Sequence, residues 1–111
     1  MAIPDLLVRE MGCTMADFTR WLPGATRGAV VDTTDLTELA PASGASDAGV
    51  RHRIQVGAGM VQIDLLPQPP RRIALLALPV MLASFRFIDL DAAQREDFLT
   101  YFDHYTRRGG G

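Results

Sequence analysis

Lysine is missing from this chain, and its absence limits the chemistry that the protein can perform. All 11 basic residues are arginines, against 13 acidic residues, and the formal net charge is -2. Without a lysine amine, Schiff-base chemistry and amine nucleophiles are excluded. No cluster of basic residues stands out, so the sequence predicts no nucleic-acid interface.

Cysteine is almost as scarce, because Cys13 is the only one. A single cysteine forms no disulfide within the chain and builds no zinc site without further ligands. With two histidines and no P-loop, G-x-S-x-G or H-E-x-x-H motif, the sequence predicts no metal and no cofactor. A buried structural thiol is the default interpretation of Cys13, although its place just before a helix could also lower its pKa.

Long apolar runs are absent too. The longest, from Ile73 to Phe85, is shorter than the roughly 20 residues that a bilayer span needs, and Pro79 interrupts it. The first residues lack the basic and apolar regions of a secretory signal. We therefore expect a cytoplasmic protein that has no membrane partner.

What is present predicts one folded domain over residues 1–111. Hydrophobic residues make up 48% of the chain and charged residues 22%, as in globular proteins. A chain of this length buries a core without help from disulfides or metals. Small and polar residues at about 40–49 predict a flexible loop.

Two helices are predicted from their capping residues. Thr14 and Asp17 form a capping-box pattern that predicts a helix from about Met15 to Leu22, with the Pro23-Gly24 pair as its end. Asp91 and Gln94 predict a second helix that continues to about Arg108. One side of this helix carries an aromatic stripe that is expected to pack on the sheet, namely Phe98, Tyr101, Phe102 and Tyr105.

The end of the second helix has a structural and a functional interpretation. Asp103 is predicted to face solvent and to pair with Arg107, one turn away, and Gly109 is predicted to close the helix. In this interpretation every residue of DHYTRRGG has a structural role. The alternative is an anion-binding or partner-binding end, because paired arginines recognise carboxylates and phosphates.

Strands are predicted where apolar and polar residues alternate. These segments are 3–11, 28–32, 50–56 and 60–66. A helical turn is predicted at 34–40. The prolines at 67–70 are predicted to break the sheet, because proline donates nothing to a strand ladder. The apolar segment 73–88 then forms two strands that turn near Pro79 or one long strand that bends there.

These elements predict an α+β fold: a curved antiparallel sheet of four to five strands and two helices, in the order β-α-β-β-β(-β)-α, with the long C-terminal helix packed on the sheet. Ile73, Leu75 and Phe85 are assigned to the side that the helices cover. Other residues of this segment must then point to the uncovered side, and they are our interface candidates: Leu76, Leu78, Leu82 and Ile88. An exposed aliphatic patch of this kind is typical of an interface or a ligand groove.

The leading hypothesis is therefore a small non-enzymatic accessory or protein-interaction domain that forms a homodimer through this apolar sheet face and serves another protein. The first alternative is a binding protein for a small acidic amphipathic ligand, with Arg51, Arg53, Arg71 or Arg72 as the anion clamp. Arg71 and Arg72 also have a structural interpretation, as charges that keep the following apolar segment soluble.

The second alternative is an enzyme that uses His52 as its acid-base group. His52 alternates with Val50 and Ile54 on the apolar side of its strand. The simpler interpretation is a core histidine that is hydrogen-bonded to a neighbour.

Overall fold

The computed structural model of the chain describes residues 5–35 and 49–109. They contain five strands and two helices: β1 (Leu6–Met11), α1 (Met15–Ala25), β2 (Val31–Asp35), β3 (Val50–Val56), β4 (Gly59–Ile73), β5 (Leu76–Ile88) and α2 (Ala92–Gly109). The predicted α+β class and element order are confirmed. The predicted loop at 40–49 and the helical turn at 34–40 fall mostly outside the described residues.

The five strands form one antiparallel sheet with the spatial order β1-β5-β4-β3-β2. β1 and β2 lie at opposite edges, and α1 connects them. β4 and β5 extend well beyond their other neighbours in the sheet. β3 pairs with β4 only as far as Leu65, and β1 pairs with β5 only from Met81. Residues 66–80 therefore project beyond the sheet as a two-stranded ribbon, which we call the arm.

The prediction that residues 67–70 break the sheet is wrong. β4 continues through these prolines to Ile73, with a β-bulge between Gln68 and Arg71. Proline is tolerated here because β3 has already ended. On that side β4 has no neighbouring strand that would accept a hydrogen bond from its amides. The chain reverses at Ala74 and Leu75, and Pro79 is neither a turn nor a strand end, since it lies within β5 opposite the bulge.

The first helix begins as predicted and ends later than predicted. The Oγ1 atom of Thr14 accepts a hydrogen bond from the Asp17 amide at 3.1 Å, and the Asp17 carboxylate accepts one from the Thr14 amide. The helix then continues through Pro23 to Ala25. Proline has no amide donor for the carbonyl of Thr19, four residues earlier, so this turn has one helical hydrogen bond fewer.

The end of α1 is a Schellman motif with an unusual residue in it. The Arg27 amide donates to the Gly24 carbonyl at 3.2 Å, and the Gly28 amide donates to the Pro23 carbonyl at 2.7 Å. Arg27 has φ +58°, in the left-handed region that this position requires and that glycine usually supplies. A side chain in this conformation costs about 1 kcal/mol.

The core lies between the inner face of the sheet and the two helices. Phe102 of α2 meets Phe85 of β5 edge-on, with ring centres 5.4 Å apart, and it also contacts Phe18 of α1 and Phe98. The predicted packing of the aromatic stripe is thus confirmed for its two phenylalanines. Tyr101 and Tyr105 are half-buried.

Two inward assignments in the apolar segment are wrong. Phe85 is buried as predicted, but Ile73 is 54% exposed and Leu75 is 102% exposed. Both residues lie at the tip of the arm, beyond the reach of the helices. The sequence shows which residues are apolar, but it does not show that the hairpin outgrows the sheet.

The predicted orientation of Asp103 is also wrong. Its carboxylate accepts a hydrogen bond from Arg9 of β1, and the two side chains are only about a quarter to a third exposed. Arg9 also lies over the ring of Phe85. Asp103 therefore fastens α2 to the β1 edge of the sheet, while the side chain of Arg107 lies outside the described residues.

Candidate functional site

A row of exposed and half-buried aliphatic side chains lies on the outer face of the arm and continues to Leu82, just inside the sheet. Strand register places them on one side, because Leu82 is paired with Leu66, Leu78 with Arg71 and Leu76 with Ile73. Residues two apart along a strand point the same way. We call this row the aliphatic strip: Leu66, Ile73, Leu76, Leu78, Val80 and Leu82.

Several members of the strip are well exposed. Leu76 is 64% exposed and Leu78 is 42% exposed, while Val80 and Leu82 are half-buried. Leu75 extends the apolar surface at the tip of the arm. No helix within the described residues covers this side, since α1 and α2 both pack on the inner face.

The fold brings together three of the four predicted interface residues. Leu76, Leu78 and Leu82 belong to the strip. Ile88 shares their side of β5 but lies at the opposite end of the sheet, where it is paired with Met60. Ser84 and Arg86 separate it from Leu82, so Ile88 is not part of a continuous apolar surface.

A charged pair borders the strip. The Nη2 atom of Arg71 donates to the Oε1 atom of Glu10 at 2.6 Å, and both side chains are more than half exposed. Glu10 is paired with Leu82 in the β1–β5 register, and Arg71 is paired with Leu78. The strip thus has one positive and one negative group beside it.

The four predicted clamp arginines do not meet. Arg51 and Arg53 lie on the outer face of β3, whereas Arg71 and Arg72 are successive residues of the arm and point to opposite sides. Arg71 is engaged by Glu10. The acidic-ligand hypothesis, in which any one of these arginines could be the clamp, stays a prediction.

Arg51 has a full set of partners on the neighbouring strand. Its Nε and Nη2 atoms donate to the two carboxylate oxygens of Asp64, at 2.8 and 3.0 Å. This bidentate pairing raises the pKa of the Arg51 guanidinium. Arg53, two residues on, has a much weaker contact, at 3.5 Å from the Gln62 side-chain oxygen.

His52 is fully enclosed in the core. Its Nδ1 atom is 2.9 Å from the Thr33 hydroxyl, and its ring stacks on Phe18 with centres 5.8 Å apart. The Nε2 atom has no hydrogen-bond partner among the described residues. Burial lowers the pKa of His52, so the neutral imidazole is favoured. These contacts fit the core-histidine interpretation, and the enzyme hypothesis stays a prediction.

Cys13 is a buried structural thiol. Its side chain belongs to the core, and burial together with the nearby Asp17 carboxylate raises the pKa of the thiol. A raised pKa keeps the group protonated and poorly reactive. The described residues hold no group of three or more side chains suited to a metal ion. None of their helices is long and apolar enough to cross a membrane.

Sequence reasoning missed part of the strip and its charged neighbour. Leu66 was not assigned to a face, although it continues the alternation of Gln62 and Asp64, and this period of two was the available signal. Glu10 comes beside the strip through the β1–β5 register, which joins residues far apart in the chain. No local pattern carries that information.

Comparison with known proteins gives no relative. No protein-family model matches the chain, and no curated protein and no solved structure matches it significantly.

Proposed function

We propose that this protein is a small non-enzymatic interaction domain that forms a homodimer through the aliphatic strip of its arm. The observation that carries the proposal is the exposure of this strip on a ribbon that projects past the sheet. Exposed aliphatic patches on a soluble domain usually mark interaction sites. Burying one aliphatic side chain contributes about 1.5 to 3 kcal/mol, so covering several of them is a substantial driving force.

The arm itself gives a reason for a partner. A two-stranded ribbon is marginally stable in water when nothing packs on it. Residues 66–80 are such a ribbon, since β1 and β3 both end before the arm begins. A partner that covers the strip would stabilise the arm as well as hide its leucines.

A second copy of the chain fits this surface. In a two-fold interface the same patch serves both subunits, and the patch must tolerate its own copy. Arg71 and Glu10 pair with each other beside the strip, so two copies can meet there without bringing unpaired like charges together. An apolar centre with a polar rim is the usual layout of a protein interface.

A further protein partner and a cytoplasmic location belong to the same proposal. The dimer would present its remaining surfaces, including the Arg51 and Arg53 side of β3, to such a partner. One buried cysteine without a disulfide partner in the chain is in keeping with a reducing compartment.

The test compares the mass of the protein in solution with that of two glutamate variants. Leu78→Glu places a charge within the strip. Leu6→Glu is the matched control, because Leu6 is 45% exposed against 42% for Leu78 and lies on the outer face of β1, opposite Arg86 rather than beside the strip. Analytical ultracentrifugation over a concentration series should show a dimer for the parent chain and for Leu6→Glu, and a monomer for Leu78→Glu.

Two results would contradict the proposal. The first is a parent chain that is monomeric at every concentration, and the second is a Leu78→Glu variant that keeps the mass of the parent. Circular dichroism of each variant shows whether the domain is folded, which separates loss of the interface from loss of the fold.

A further inference from the structure

A narrow cavity of about 100 Å³ opens between the C-terminal end of α1 and the first half of α2. Its apolar lining comes from α1, the loop after it, β3 and α2, namely Ala25, Ala29, Val56 and Phe98. Phe98 and Ala25 are buried, so the floor of the cavity is part of the core. The cavity is on the helix side of the sheet, away from the aliphatic strip.

Two opposite charges stand at the mouth of this cavity. The Nη1 atom of Arg27 is 3.3 Å from the Oδ2 atom of Asp97, and the Arg27 guanidinium lies over the Tyr101 ring at 4.1 Å from its centre. Arg27, Asp97 and Tyr101 also border a wider open groove of about 480 Å³. Both charged side chains are more than half exposed, at 55% and 66%. An exposed pair of this length is weak, so a ligand can replace it easily.

The backbone conformation of Arg27 determines where its side chain lies. Arg27 occupies the left-handed position of the Schellman motif, with φ +58°, and Gly28 follows at φ +74°. Glycine would close the helix at position 27 with less strain. The conformation carries the arginine side chain across the gap to α2, and strained residues of this kind concentrate at binding sites.

We propose that this cleft binds a small aliphatic α-amino acid as its zwitterion. The ligand carboxylate accepts hydrogen bonds from the Arg27 guanidinium, and the ligand ammonium donates to the Asp97 carboxylate. The aliphatic side chain enters the cavity. An apolar cavity of about 150 Å³ accommodates benzene, so a cavity of this smaller size takes a side chain of about three or four carbons.

This inference goes beyond the proposed dimerisation and does not depend on it. The cleft uses residues of α1, the loop after it, β3 and α2, whereas the strip uses β4 and β5. A Leu78→Glu variant that is monomeric should still bind the amino acid. Failure of one proposal therefore leaves the other standing.

The experiment is an NMR titration of the whole isotope-labelled chain with L-norvaline, whose side chain has three carbons. Amide signals from residues 25–29 and 97–101 should shift and saturate at millimolar concentration. Two analogues test the charges separately: pentanoate has the carboxylate and the chain without the ammonium, and n-butylamine has the ammonium without the carboxylate. Each should bind about tenfold more weakly or worse, because each loses one charged hydrogen-bonded contact.

Three variants test the assigned residues. Arg27→Gly should keep or raise the melting temperature, because glycine suits this backbone, while the affinity for norvaline falls by about tenfold or more. Asp97→Asn should weaken the binding of norvaline but leave that of pentanoate unchanged or improved. Arg20→Gln is the control, because it removes an exposed arginine of α1 that pairs with Asp17 and does not border the cavity, so binding should be unaltered.

Several outcomes would overturn the inference. Absence of any shift up to the solubility limit of norvaline removes the site. Equal affinity of the parent chain and Arg27→Gly removes the role of the arginine. Equal binding of pentanoate and norvaline shows that the ammonium is not recognised, which removes the amino acid as the ligand.

Discussion

Gly24 lies directly against the phenol ring of Tyr105, at the point where α1 meets α2. A Cβ atom built on Gly24 would overlap the ring carbons and the hydroxyl oxygen of Tyr105. The missing side chain therefore allows the two helices to approach closely and to share the inner face of one small sheet. Gly24 therefore has a packing role, and α1 continues past it to Ala25.

We predict that Gly24→Ala destabilises the protein. Alanine favours a helix by about 1 kcal/mol over glycine, but overpacking against the ring costs about 1 to 3 kcal/mol. The net expectation is a loss of about 1 kcal/mol in the free energy of unfolding, measured with urea. In a Tyr105→Ala background the ring is gone, and the same substitution should become neutral or stabilising. An equal loss in both backgrounds would show that the contact does not limit the packing.

The Arg51–Asp64 pair should contribute measurably to stability, unlike the neighbouring Arg53–Gln62 pair. Both pairs join β3 to β4 on the same face, in successive outward positions. The first is bidentate and about three-quarters buried, and the second is a single exposed contact at 3.5 Å. Double-mutant cycles to alanine should give a coupling free energy of about 1 kcal/mol for Arg51–Asp64 and nearly zero for the control pair.

The coupling of Arg51 to Asp64 also tests the acidic-ligand hypothesis. If Arg51 served mainly as an anion clamp, removal of Asp64 would free the guanidinium and would cost little stability. A coupling free energy near zero for both pairs would favour that interpretation. The cross-strand geometry leads us to expect the opposite.

Local patterns predict the helices and most strands, because capping and alternation depend on residues only a few positions apart in the chain. The Thr14–Asp17 and Asp91–Gln94 capping boxes were readable, and both form. The length of β4 could not be predicted from local sequence patterns. Proline is unfavourable in a strand that has a neighbour on both sides, but a strand with one neighbour tolerates it. Whether residues 67–70 have a second neighbour depends on where the pairing of β3 with β4 ends.

The candidate sites also divide into features that neighbouring residues determine and features that depend on contacts between distant parts of the chain. Alternation placed Leu78 and Leu82 on the uncovered side, and the fold agrees. Arg27 was missed because its importance comes from the left-handed backbone and from the position of Asp97 on another helix. The sequence signal available was an arginine that directly precedes Gly28, just beyond the predicted helix end.

Acidification should destabilise the protein through His52. Burial lowers the pKa of His52 in the folded state, whereas the unfolded chain takes up its proton near pH 6.5. Above that pH both states are neutral and the residue adds no pH dependence. Below it the unfolded state binds the proton first, so the free energy of unfolding falls as the pH falls, by at most about 1.4 kcal/mol per pH unit.

The measurement is urea unfolding between about pH 7 and pH 5, above the range in which most carboxylates titrate. His52→Leu should lose this part of the pH dependence while the fold is retained. His104→Gln, which removes the other histidine of the chain at an exposed position of α2, is measured alongside as the matched variant. If His52→Leu kept the slope of the parent chain, the enclosed imidazole would not be the group that takes up the proton on unfolding. A protonated His52 would then have to be accommodated in the folded core, beside Phe18 and Thr33.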